Sequence, residues 1–184
     1  PGAVALYEQR SVYAGTPEKP NTLWFSSTWN PDDMTASVAA DDGMSLTLDD
    51  NSVLRWLAVG RFLHAGTSEA EWIISSGNTD VAMTPTQRKA RRVSRYGSST
   101  VPGIAVGNAI LFVQRAGKKV RELIYDYIQD NFGDPPDLTI FAEHVTSTGI
   151  KQYAFQKEPD SILWCVLNDG TVAAFTYNKA QEIM

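Results

Sequence analysis

Short apolar runs that end in turn-forming residues recur along the chain. "RSVYAGT" at 10–16 and "RFLHAGT" at 61–67 are nearly the same, and "AILFVQRAG" at 109–117 and "SILWCVLNDG" at 161–170 share their form. The runs are rich in the β-branched and aromatic residues typical of strands, and a second apolar run follows each of them. This pattern predicts four antiparallel hairpins.

The runs reach a glycine at regular intervals. Gly15, Gly66, Gly117 and Gly170 are separated by 51, 51 and 53 residues. We expect each glycine to supply the positive φ angle of a hairpin turn. A repeat of about fifty residues built from hairpins is typical of β-propeller blades. The sequence therefore predicts an all-β, propeller-like array of about three to four antiparallel units with a repeat of about 51 residues.

The predicted units are 1–52, 53–102, 103–149 and 150–184, which together form a single propeller-like region. Propellers typically close with four to eight blades. We therefore expect an incomplete ring, as part of a longer chain.

Three segments differ from this strand pattern. Residues 27–43 are rich in Asp, Ser, Asn and Ala and are predicted to form a long loop. Residues 125–132 are compatible with a short helix, which Gly133 and the following prolines would end. Residues 84–100 contain a basic run and are not expected to form a blade strand.

Composition limits the class of protein. The chain is 43% hydrophobic and 20% charged, as in ordinary globular domains. Its net charge of −5 argues against binding nucleic acid over the whole surface. No apolar stretch is long enough to predict a transmembrane helix. The single cysteine, Cys165, excludes an internal disulfide and is expected to be a small buried hydrophobe.

The basic run is the one candidate binding feature. It holds five of the sixteen basic residues: Arg88, Lys89, Arg91, Arg92 and Arg95. These cations could contact phosphates, which would give a salt-dependent and sequence-independent affinity for DNA. They could instead form a solvated strand or a stripe at a subunit interface, and this second interpretation is favoured.

No motif predicts catalysis. His64 and His144 lack a second histidine at metal-binding spacing. The pairs Asp41-Asp42 and Asp49-Asp50 lack the EF-hand order and are interpreted as turn residues. Nucleophile-elbow and phosphate-loop motifs are missing from the sequence, and nothing pairs the carboxylates as a glycosidase requires. We assign no catalytic residue, no metal ligand and no cofactor.

Three groups of residues suggest a family. "TPT…R…YGS" within 84–98, "LFVQR-G-VRE" within 111–122 and "EPDSILW" at 158–164 occur in colinear order. In this combination the chain resembles bacteriophage and prophage tail proteins, specifically the central part of the tail tubular protein B, or tail nozzle, class of short-tailed phages. The resemblance extends over most of the 184 residues.

The resemblance implies a structural component of the virion tail, made in the host cytoplasm, rather than an enzyme. It implies a propeller-like nozzle that forms part of the DNA exit channel. The implied partners are other copies of the protein in a ring, other tail or head–tail connector proteins, and DNA in transient non-specific passage. No membrane insertion is expected. Because strong phosphate contacts would slow DNA, the basic run is expected to face a neighbouring subunit.

Two other functions remain open. The first is a propeller that binds a host glycan or protein through loops such as 27–43. The second is a phage glycosidase on a propeller scaffold.

Overall fold

A computed structural model of the protein describes residues 1–78, 81–126 and 131–177. Within these ranges the secondary structure consists of strands, with no helix, and the strands form four small antiparallel sheets. The prediction of an all-β, blade-like array is therefore confirmed.

Each sheet is formed by strands that are consecutive in the chain, and the sheets are numbered 1 to 4 in chain order. Sheet 1 contains β1 (Ala3–Tyr7), β2 (Arg10–Ala14), β3 (Thr22–Phe25) and β4 (Met44–Thr47). Sheet 2 contains β5 (Leu54–Val59), β6 (Leu63–Thr67), β7 (Glu71–Ser75) and β8 (Lys89–Ser94). Sheet 3 contains β9 (Ile104–Val106), β10 (Ala109–Val113), β11 (Val120–Asp126) and β12 (Asn131–Phe132). Sheet 4 contains β13 (Ile150–Gln156), β14 (Ile162–Leu167) and β15 (Val172–Thr176).

The four similar runs in the sequence form the second strand of each sheet, namely β2, β6, β10 and β14. Each pairs with the strand that follows it as an antiparallel hairpin. The strands of sheets 1 to 4 lie within residues 1–52, 53–102, 103–149 and 150–184, respectively.

Three hydrophobic cores join the sheets in chain order, one between each pair of neighbours. Side chains alternate between the two faces of a strand. On β10, Ile110 and Phe112 therefore pack towards sheet 2, while Leu111 and Val113 pack towards sheet 4. Because both faces are buried, the inner strands have continuous apolar sequences rather than alternating ones.

Sheets 1, 2 and 3 approach one another most closely at their first strands, where β1 lies against β5 and β5 lies against β9. The first strands of these three sheets thus converge, as the inner strands of propeller blades do. In the described residues, no further sheet covers the outer faces of sheets 1 and 4. Val4 and Leu6 on the outer face of sheet 1 are 58% and 73% exposed, and Trp164 and Val172 on the outer face of sheet 4 are 40% and 61% exposed.

The predicted role of the repeat glycines holds for three of the four. Gly15, Gly117 and Gly170 lie between the second and third strands of their sheets, with φ angles of +63°, +77° and +86°. Gly66 lies inside β6, and the turn after it is closed by Thr67 N–H donating to the Ala70 carbonyl at 2.8 Å. The hairpin prediction for Gly66 is therefore wrong.

The reason is steric. A side chain at Gly66 would collide with the indole of Trp56, which is buried against this position from the adjacent strand β5.

Two of the irregular segments differ from their predicted structure. Residues 84–100 do contain a blade strand, β8, which corrects the prediction. An edge strand tolerates charged side chains because solvent covers its outer side. In the range 125–132, residues 127–130 lie outside the described residues, while Tyr125–Asp126 and Asn131–Phe132 pair as strands rather than forming a helix.

The segment 27–43 forms the long loop that its composition predicts, with isolated bridges and no strand. The buried guanidinium of Arg10 fixes it by donating to the carbonyls of Ser26 at 2.7 Å, Ala40 at 2.6 Å and Asp42 at 2.6 Å. One side chain therefore ties both ends of the loop to sheet 1.

Candidate functional site

The basic run forms the outer edge of sheet 2. β8 pairs with β7 on one side, with Arg91 opposite Ile73 and Arg92 opposite Trp72. All five basic side chains are exposed: Arg88, Lys89, Arg91, Arg92 and Arg95. The sequence-predicted cations therefore do lie on one strand and its flanks.

The cations of β8 point to two different sides of the sheet. Lys89 and Arg91 border a cleft of about 330 Å³ that Phe62 and Tyr125 also line. The Arg92 guanidinium lies on the opposite face, 5.6 Å from the centre of the Trp72 ring. The cations of β8 thus form a basic edge with two sides, and Arg92 does not face the cleft that Lys89 and Arg91 border.

A buried carboxylate supports the end of this strand. Glu71 on β7 accepts hydrogen bonds from the hydroxyls of Ser94 and Ser98, the latter at 2.9 Å. Burial raises the pKa of the Glu71 carboxyl, because the charged form loses its hydration. The two serines hold the chain after β8 against β7. No sequence motif marks this role of Glu71.

Polar residues of two sequence motifs, those within 84–98 and 111–122, contact neighbouring strands and loops. Arg121 on β11 donates from Nε to Gln114 Oε1 at 2.8 Å and from Nη1 to the Pro135 carbonyl at 2.6 Å. Its guanidinium carbon lies 3.5 Å from the centre of the Tyr96 ring, and the Tyr96 hydroxyl donates to Asp134 at 2.9 Å. This network fastens the segment after sheet 2 onto sheet 3.

A second set of bonds joins sheets 3 and 4. The Tyr153 hydroxyl donates to the Leu111 carbonyl at 2.8 Å, and the Tyr177 hydroxyl donates to the Glu122 carboxylate. Burial raises the pKa of both phenols above its ordinary value, so both stay protonated donors at neutral pH. These bonds tie sheet 4 and the residue after it to sheet 3.

The loop 27–43 presents a solvent-exposed aromatic side chain. Trp29 is 78% exposed and has a φ angle of +66°, a conformation that non-glycine residues rarely adopt. The surrounding part of the chain is acidic: residues 1–52 contain Glu8, Glu18, Asp32, Asp33, Asp41, Asp42, Asp49 and Asp50, against Arg10 and Lys19. A bulky indole thus projects from an acidic loop that Arg10 holds in place.

His64 and Cys165 are buried, and Asp42 and Asp50 form hydrogen bonds within their own turns. His64 is buried, with an aromatic edge contact to Phe132, and burial lowers its pKa to about 4. Burial raises the pKa of the Cys165 thiol to about 11, so it is protonated at neutral pH. Asp42 and Asp50 accept hydrogen bonds from nearby residues of their own turns, Ala39 and Ser52.

In residues 1–78, 81–126 and 131–177 no three or more His, Cys, Asp or Glu side chains cluster as metal ligands would. The described ranges likewise offer no helix with the length and apolar character of a membrane span.

Comparison with known proteins adds no identification. The sequence matches no protein-family model and none of the curated proteins.

Proposed function

We propose that the protein is a structural component of a phage tail, forming part of the wall of the DNA exit channel. The observation that best supports this role is that polar residues of the sequence motifs within 84–98 and 111–122 form structural contacts. Arg121, Glu122, Tyr96 and Gln114 all form contacts that hold the sheets and their connections together. Residues used in this way build a stiff scaffold, which a tube wall needs.

The charge of the first strands also supports a conduit. In a propeller the first strand of each blade faces the central axis, and here β1 lies against β5 and β5 lies against β9. β1, β5, β9 and β13 together contain only two charged residues, Arg55 and Lys151. A wall with few cations makes few phosphate contacts, so it lets duplex DNA slide.

The position of the basic edge agrees with this assignment. β8 is the last strand of sheet 2, so its cations lie at the opposite edge from the converging strand β5. In this account Arg91 and Arg92 face a neighbouring protein rather than the DNA. An acidic partner would be attracted there, and residues 1–52 of a second copy are acidic.

The test is the composition of phage particles. Particles induced from the bacterium that carries this sequence should be purified on a density gradient and analysed by peptide mass spectrometry. The proposal predicts peptides of this protein in fixed ratio to those of the other tail proteins, and gold-labelled antibody at the tail. Absence of the protein from intact particles would contradict it.

Trp29 supports a second candidate function, a module that binds a host glycan or protein. An exposed indole on a fixed loop offers a stacking surface for a sugar ring or an anchor for a protein partner. Binding to a glycan array that is lost in Trp29→Ala and kept in Phe141→Ala, another exposed aromatic, would favour this function. Equal binding by both variants would count against it.

A further inference from the structure

We propose that the chain binds a small phosphorylated ligand, with its phosphate group held by Arg55 and Lys151 in a pocket where sheets 2, 3 and 4 meet. This pocket, called the Arg55 pocket, is separate from the basic edge. Its role as a binding site goes beyond the proposed function and does not depend on the phage assignment.

The Arg55 pocket lies where strands β5 and β13 begin. Arg55 of β5 and Lys151 of β13 line it, together with the chain that leads into β9 and with turns of sheets 3 and 4. Its volume is about 360 Å³. Sites that hold small molecules typically measure roughly 300–1,000 Å³. The pocket therefore has room for a phosphate group and a small group attached to it.

Arg55 and Lys151 occupy equivalent positions in their sheets. Each is the second residue of a first strand, and each lies where the pairing with the second strand shifts in register. Such a β-bulge adds one residue to the strand and redirects its side chain, and bulges are over-represented next to active sites. The two charged residues of the first strands are therefore both bulge residues that line one pocket.

The packing around Arg55 shows what the bulge does. Regular alternation would place Leu54 and Trp56 on the same face of β5. Instead, Leu54 packs into the core with sheet 1, and Trp56 packs into the core with sheet 3. Arg55 belongs to neither core and lines the pocket. The irregular backbone thus places a cation in the pocket while the residues on either side stay buried.

The charge of the Arg55 pocket favours an anion. Arg55, Arg115 and Lys151 line it, and none of its described lining residues is Asp or Glu, although the chain has a net charge of −5. Arg115 pairs with Glu69 at 2.6 Å, so its charge is partly neutralised. Arg55 and Lys151 form no ion pair in the described ranges. These two cations therefore carry the attraction for a ligand.

Arg55 also has an unused hydrogen-bond donor. Its Nε atom is buried and has no hydrogen-bond partner among the described residues. Leaving a buried donor unpaired costs free energy, more so when the group is charged. An anion in the pocket would offer the missing acceptor.

A phosphate group suits these donors better than a carboxylate does. It carries up to two negative charges and three acceptor oxygens that point in different directions, so it can bind cations from two sheets at once. Ser99 adds a hydroxyl to the lining. Its backbone N–H donates to the Val113 carbonyl at 2.9 Å, which fixes this segment on sheet 3. A planar carboxylate has two oxygens and one charge to share among the same groups.

The experiment measures the binding of inorganic phosphate and pyrophosphate by isothermal titration calorimetry, with ionic strength held constant by chloride. The wild-type chain is compared with Arg55→Gln and Lys151→Gln. Lys157→Gln is the control, because Lys157 is exposed just after the other end of β13 and does not line the pocket. Circular dichroism checks the fold. Lys151 is exposed, so Lys151→Gln should fold and tests the site even where Arg55→Gln does not.

We expect both pocket variants to bind the two probes about tenfold more weakly than the wild type, because each loses one charge-assisted contact. Lys157→Gln should keep the wild-type affinity. A short DNA duplex is the third probe, and its affinity should be the same for all four proteins, since a pocket for a small ligand does not need the duplex backbone.

Three results would overturn the proposal. The first is a wild-type chain that binds neither phosphate nor pyrophosphate at millimolar concentration. The second is an affinity that all three variants share with the wild type. The third is a loss of affinity for the DNA duplex in the two pocket variants without a loss for the small probes, which would assign Arg55 and Lys151 to a nucleic-acid contact.

Discussion

The indole of Trp56 occupies the space that a side chain at Gly66 would need. Trp56 on β5 is almost fully buried, and a Cβ atom added at Gly103 would also lie 2.9 Å from its ring. Two glycines therefore form a slot for the largest side chain of the core between sheets 2 and 3. The ring in turn packs 6.1 Å from Phe112, centre to centre.

Gly66→Ala should be strongly destabilising. The added methyl group overlaps the indole, and overpacking a well-filled core typically costs about 1–3 kcal/mol. Thermal and urea unfolding would measure this loss. Gly133→Ala is the control, since a Cβ there meets no atom within 4 Å, and should change stability by less than about 0.5 kcal/mol. Equal effects of the two substitutions would contradict the slot.

The loss in Gly66→Ala should depend on the indole. In Trp56→Leu, with the ring removed, adding Gly66→Ala should cost less than it does in the wild-type chain. A double-mutant cycle measures this coupling. Additive effects would show that the strain at Gly66 comes from elsewhere.

Glu71 should be needed as a hydrogen-bond acceptor. Glu71→Ala leaves the Ser94 and Ser98 hydroxyls without this partner in a buried site, which typically costs about 1–3 kcal/mol. Glu71→Gln keeps one acceptor oxygen and should cost less. Urea unfolding of both variants checks the order, and Glu69→Gln at an exposed neighbour should have little effect.

The difference in stability between wild type and Glu71→Gln should depend on pH, because Glu71 can ionise and glutamine cannot. Its pKa is raised in the folded state, so the stability it contributes is complete below the unfolded value of 4.5 and is lost as pH rises through the folded pKa. Glu71→Gln should therefore gain stability relative to wild type as pH increases from acid to neutral. A difference that stays constant with pH would contradict this assignment.

His64 should make the fold sensitive to acid. Its pKa falls from 6.5 to about 4 on burial, so the unfolded chain binds a proton first as pH decreases. Stability from this residue is complete above pH 6.5 and declines towards pH 4, by up to about 3 kcal/mol at 1.36 kcal/mol per pKa unit. His64→Leu should lack this decline, whereas His144→Leu, at an exposed position, should keep it. Parallel curves for all three proteins would contradict the prediction.

Charge reversal should show what the basic edge contacts. Under the proposed function, Arg91→Glu with Arg92→Glu should weaken assembly with neighbouring subunits and leave any affinity for duplex DNA unchanged. Lys118→Glu with Lys157→Glu makes the same charge change at exposed positions outside β8. Assembly unaffected by the first pair would count against an interface. A drop in DNA affinity and in its salt dependence for that pair alone would indicate phosphate contact instead.

The sequence predicted the strands well because their signal is local. Apolar runs such as Ala109–Val113 are dense in strand-forming residues, and glycines such as Gly170 mark turns by their backbone alone. The hairpin prediction was wrong at Gly66. There the missing side chain leaves room for the indole of Trp56, which is ten residues away in the chain and on another strand. The spacing of glycines in a sequence cannot distinguish a glycine that adopts a positive φ angle from one that leaves room for a neighbouring side chain.

The candidate site was predicted only in part. The basic run was visible because charge is a property of composition, but its division between two sides of β8 depends on strand register. That β8 is a strand at all was missed, since charged residues have low strand propensity and only pairing with β7 decides the matter. The roles of Glu71 and Arg10 depend on distant partners and leave no sequence signal.

Electron microscopy of phage particles tests the proposed tail function most directly. The account predicts a ring of blades around an axial hole wide enough for duplex DNA, with the first strands β1, β5, β9 and β13 nearest the hole and β8 against a neighbouring protein. A particle in which these sheets lie away from the DNA path, with the loop 27–43 pointing to the host surface, would contradict it.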